Sequence, residues 1–93
     1  GTIPVHEVNV NQGICLCCVR YQGVPGPKDG LYAWEWQKGT QLWLVEGQFR
    51  SLVSGAKRVY AVEDNGQVRA LELRTGIDQT GAVLRGVSRV GWA

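Results

Sequence analysis

A single histidine, a single phenylalanine and no methionine occur among the 93 residues of this chain, and other scarcities bound it further. No apolar stretch approaches the ~18 residues of a membrane-spanning helix. No basic head followed by an apolar run and a small-residue cleavage site marks a signal peptide. Charge of one sign is not in excess either: ten Lys and Arg against eight Asp and Glu leave +2. So weak a field exerts little long-range pull on a polyanion, and nucleic acid is not the default partner. Cysteine is limited to Cys15, Cys17 and Cys18. An odd number crowded into one short segment excludes an ordinary disulfide framework. Read as reduced thiols, they indicate a reducing compartment, and with no signal peptide the expected location is cytoplasmic.

What is present is glycine and tryptophan. Thirteen glycines accompany Trp34, Trp36, Trp43 and Trp92, with 44% hydrophobic and 19% charged residues. Frequent glycine beside Val, Leu and aromatics is the composition of short strands joined by tight turns. Hydrophobicity at this level excludes the disordered class. The length suits one domain, residues 1–93, with a core that needs no staples.

Turn signals divide the chain. A β-prone run over 3–10 ends at Asn11-Gln12-Gly13, and the run over 14–21 is apolar on both faces, as for a central strand buried on two sides. Residues 22–30 hold three glycines and two prolines and read as the main irregular loop, the natural place for binding residues such as Pro25 and Lys28. Strands over 31–37 and 40–46 flank Lys38-Gly39, and another follows over 48–53. The segment 57–74 is the clearest hairpin: two alternating arms around Glu63-Asp64-Asn65-Gly66. A three-residue loop with a bulge at Gly66 sets Val62 opposite Val68, Tyr60 opposite Ala70 and Arg58 opposite Glu72. That register is preferred over a two-residue loop at Asn65-Gly66, because it matches cross-strand pairs. A turn over 76–81 and a last strand over 82–90 complete the pattern, and no segment carries a helical stripe. Strands at this spacing predict an all-β domain, a small antiparallel β-barrel or sandwich of about six to eight short strands.

Gly30-Leu31-Tyr32-Ala33-Trp34-Glu35 and Arg58-Val59-Tyr60-Ala61-Val62-Glu63 share an apolar-Tyr-Ala-apolar-Glu core 28 residues apart. The string resembles the inner hairpin of a propeller blade in the quinoprotein-like repeats. That resemblance implies a ring of blades assembled from several copies, but the spacing is short for a four-stranded blade, and no family is assigned from it.

Candidate chemistry is sparse. A thiolate metal centre needs four converging ligands, and only His6 is available beside the three cysteines, so no metal site is assigned and buried packing is the expected role of the thiols. Nucleophilic catalysis needs a base beside the thiol or hydroxyl, and no such pairing is evident around His6. Prolines occupy the loop where a phosphate cradle needs backbone N–H donors. The chain is therefore expected to be no enzyme and to use no cofactor. Tyr32, Trp34 and Trp36 share one strand face, as part of the core or as an exposed platform. The expected function is an interaction or structural module that binds a protein partner or self-associates through that face, away from membranes. The alternative is a small-barrel nucleic-acid binder stacking bases on the same rings, with arginines for phosphates.

Overall fold

The computed structural model describes residues 5–21, 26 and 28–89. Among the described residues, seven strands form two antiparallel sheets, followed by one short helix. The first sheet contains β1 (Val5–Asn11), β2 (Ile14–Val19), β3 (Gly30–Glu35) and β4 (Thr40–Glu46) in that order. The second contains β5 (Phe49–Ser54), β6 (Arg58–Glu63) and β7 (Val68–Glu72). Every strand pairs with its sequence neighbour except across the β4–β5 junction, where the chain changes sheets. None of the described helices is long and apolar enough to cross a membrane.

The turn chemistry explains the pairing. Gln12 and Gly13 both take positive φ, 53° and 77°, which is the two-residue turn whose twist suits the β1–β2 hairpin. In the β6–β7 hairpin the register is Val62↔Val68, Tyr60↔Ala70 and Arg58↔Glu72, with Gly66 at φ 89°. Matched cross-strand pairs thus decided between the two registers that the loop residues allow.

One core lies between the sheets. Ile14, Leu16, Cys18, Leu31, Ala33 and Trp43 of the first sheet meet Phe49, Leu52, Val59, Ala61 and Leu71 of the second, with Leu73 just beyond β7. Where β1 and β5 adjoin, side chains make the joint. Ser54 Oγ donates to Asn9 Oδ1 at 2.9 Å, and Asn11 Nδ2 donates to the Gly55 carbonyl at 2.7 Å. At the opposite flank, Trp43 Nε1 donates to the Leu73 carbonyl at 2.9 Å.

The expected last strand over 82–90 is instead helix α1 (Thr80–Arg89). Valines and glycines suggested a strand, but the environment before the segment selects a helix. Asp78 Oδ1 accepts the Thr80 N–H at 2.9 Å, and the Val83 N–H reaches the Gln79 carbonyl at 3.0 Å. Hydrogen bonds from the Thr80 hydroxyl and then its N–H, with Arg69 alongside, hold the Asp78 carboxyl below its ordinary range. Thr80 Oγ1 also accepts the Ala70 N–H at 2.9 Å, tying the helix start to β7. Tertiary anchoring overrides the weak helix propensity of Gly81 and Gly86.

Candidate functional site: the outer face of the first sheet

Alternation along β2 sends Ile14, Leu16 and Cys18 into the core and turns Cys15 and Cys17 outward. Register places Cys15 opposite Trp34 and Cys17 opposite Tyr32 on β3, and Tyr32 opposite Leu44 on β4. On the other side of β2, Cys17 faces Val8 and Cys15 faces Val10. The outer face therefore reads Val8, Val10, Cys15, Cys17, Tyr32, Trp34 and Leu44 across four strands. Most antiparallel sheets place polar side chains on the face away from the core. Here both faces are apolar.

Tyr32 and Trp34 stack, with centroids 6.3 Å apart and planes 10° from parallel. Burial along the arm is graded: Tyr32 is 8% exposed, Trp34 half-buried, and Trp36, beyond the end of β3, 64% exposed. Tyr32 Oη donates to the Lys28 carbonyl at 2.5 Å, and burial, followed by the neighbouring Tyr21 phenol, raises its pKa above the ordinary value. Lys28 itself is exposed and pairs with Glu46 at 3.2 Å, putting an ion pair at one end of the face. Asp29 closes the base of the adjoining loop. Its carboxylate accepts the Tyr21 N–H at 2.6 Å and Gln48 Nε2 at 2.5 Å, which pulls its pKa below the usual range. Pro25 lies outside the described residues.

Two thiols sit within this face, with Cys15 Sγ and Cys17 Sγ 3.8 Å apart. Burial foremost, then the neighbouring Cys15, pushes the Cys17 thiol up to about 11. Because the thiolate is the reactive form, Cys17 is expected to alkylate more slowly near pH 8 than an ordinary cysteine of pKa ~8.5. Its rate should climb only as the pH approaches about 11. Residue-resolved labelling with iodoacetamide and mass spectrometry checks this; rapid modification of Cys17 near pH 8 would contradict it. Cys18 is buried in the core. Among the described residues no group of three or more His, Cys, Asp and Glu could hold a metal ion, and the His6 side chain lies outside them.

Sequence reasoning located the aromatic arm and missed the two strands that extend the face. Val8 and Val10 are 57% and 55% exposed, while Asn9 on the opposite side of β1 bonds to the second sheet. The β2 run, expected to be covered on two sides, is covered on its core side and only half-buried at Cys15 and Cys17. A bulge between Ala33 and Trp34 also changes β4, where Leu42 and Leu44 were expected on one face. Gln41 becomes the partner of Trp34, and Leu42 turns to a cleft lined by Ile14 and Glu35.

No protein-family model matches this chain, and no curated protein does.

Proposed function

We propose that this domain is a non-enzymatic interaction module, self-associating or docking on a protein partner through the outer face of the β1–β4 sheet. The observation that carries the reading is the continuity of that face. More than half-exposed valines on β1 join the β2 thiols, the Tyr32–Trp34 stack and Leu44 across the full width of the sheet. Contiguous exposed apolar surface is characteristic of interfaces, and stacked aromatics supply large rigid contact area there. We read the scaffold as an open sandwich, because side-chain bonds join β1 to β5 where a barrel would continue its backbone ladder.

Val10→Asp tests the function with little risk to the fold, since position 10 is 55% exposed. Light scattering after size exclusion is expected to show association for the wild type and a monomer for the variant. A wild type that remains monomeric at high concentration would overturn self-association. The hetero-docking form then requires captured proteins that Val10→Asp fails to retain, and equal capture by both chains would overturn it.

A further inference from the structure

Four of the described cations are neutralised locally: Arg20 by Asp64, Lys28 by Glu46, Lys38 by Glu35 and Arg69 by Asp78. Among the described residues, Arg50, Lys57, Arg58, Arg74 and Arg85 have no carboxylate within ion-pair distance. Three of these five, Lys57, Arg58 and Arg74, line one cleft of about 280 Å³, together with Ala56, Glu72, Leu73 and Gln79. The cleft opens where the β5–β6 turn meets the end of β7.

Its walls are held in place. Arg58 Nε donates to Gln79 Oε1 at 3.0 Å, orienting the guanidinium, and Gln79 Nε2 reaches Glu72 Oε2 at 3.4 Å. The Leu73 N–H donates to the Lys57 carbonyl at 2.9 Å, locking the two sides together. Gln12, whose φ of 53° is the one positive value outside glycine among the described residues, donates to the Ala56 carbonyl at 2.7 Å. Its Oε1 lies 3.5 Å from an Arg74 terminal nitrogen. A non-glycine residue in the left-handed region thus ties Ala56 to Arg74 from a turn in the other sheet.

We propose that this cleft binds a phosphoryl group, presented by a free small molecule or by a nucleic-acid backbone. Three cations face one carboxylate, and two of the cations carry planar guanidinium forks that match phosphate oxygens. The volume suits a small anionic group at the lower end of ordinary ligand pockets. This site is separate from the apolar face proposed for protein docking, and neither depends on the other.

Amide chemical shifts of the 93-residue chain should be followed with inorganic pyrophosphate, a short single-stranded oligonucleotide lacking terminal phosphate, and malonate. Saturable shifts centred on Lys57, Arg58, Leu73 and Arg74 are expected with pyrophosphate for a free-ligand source, or with the oligonucleotide for a backbone source. Lys57→Gln and Arg74→Gln, both at exposed positions, should each weaken that binding ~10-fold, the loss of one charge-assisted contact. Arg50→Gln, which removes an unpaired cation outside the cleft, should leave it unchanged. No saturable shift with either phosphate probe, an equally tight response to malonate, or equal weakening by Arg50→Gln would each overturn the proposal.

Discussion

Phe49→Ala is expected to destabilise the domain by ~3–5 kcal/mol, the range for removing a fully buried aromatic ring. Phe49 is 1% exposed and opens β5 immediately after the chain leaves the first sheet, so its ring fills the space where the sheets diverge. Neighbouring groups are arranged around it. Gly47 takes φ 155°, and a Cβ there would lie 3.0 Å from the Phe49 ring. Arg69 places its guanidinium carbon 5.8 Å from the ring centroid, and Arg20 donates to the Phe49 carbonyl at 3.1 Å. Truncation therefore removes apolar burial, leaves a cavity and takes away the aromatic face beneath Arg69. The loss is a large fraction of the ~5–15 kcal/mol typical of a folded domain. Urea unfolding of Phe49→Ala and Phe49→Leu checks it. Leu retains most of the volume, and equal losses for the two variants would show that the ring does not fill the site as described.

Gly76→Ala is expected to cost ~2–5 kcal/mol, adding left-handed backbone strain of ~1–2 to overpacking of ~1–3. Gly76 has φ 73°, and a Cβ there would meet the Trp43 ring at 2.6 Å from Cδ2 and 2.8 Å from Cε3. The ring has little freedom to withdraw, because Trp43 is 7% exposed and its indole N–H is bonded to the Leu73 carbonyl. Gly66→Ala supplies the comparison: φ is 89°, but nothing lies within 4 Å of the added carbon. Denaturant unfolding should show a distinctly larger loss for Gly76→Ala, accompanied by altered tryptophan fluorescence. Equal losses would mean that the contact with Trp43 contributes nothing beyond the backbone term.

Neither of these contacts was visible as a local pattern. Gly76 read as a turn residue and Trp43 as one face of a strand, while their approach across a separation of 33 residues depends on how the sheets close. Local signals did determine the strands from β2 to β7 to within a few residues, since period-two apolar alternation and glycine turns are short-range properties. The β6–β7 register was likewise determined by pair matching within one hairpin.

The helix fared differently. Residues 82–90 read as a strand because valine favours strands and glycine disfavours helices. Asp78, Thr80 and their bonds to β7 then start a helix that composition does not favour. In β1, Val8 and Val10 face outward while Asn9 and Asn11 bond to Ser54 and Gly55 of the other sheet, an orientation set by neighbours 44 or more residues away.

The sequence by itself determined that the chain is nearly all β, that it forms short antiparallel hairpins, and that Tyr32 and Trp34 share a strand face. Tertiary structure alone decided that this face lies on the outside of a sheet and continues through the thiols to Val8 and Val10. It also decided that three unpaired cations from separate turns and strands converge on one cleft. Alternation specifies which side chains share a face, but which face is covered depends on where the other sheet packs, and that follows from long-range contacts no local pattern encodes.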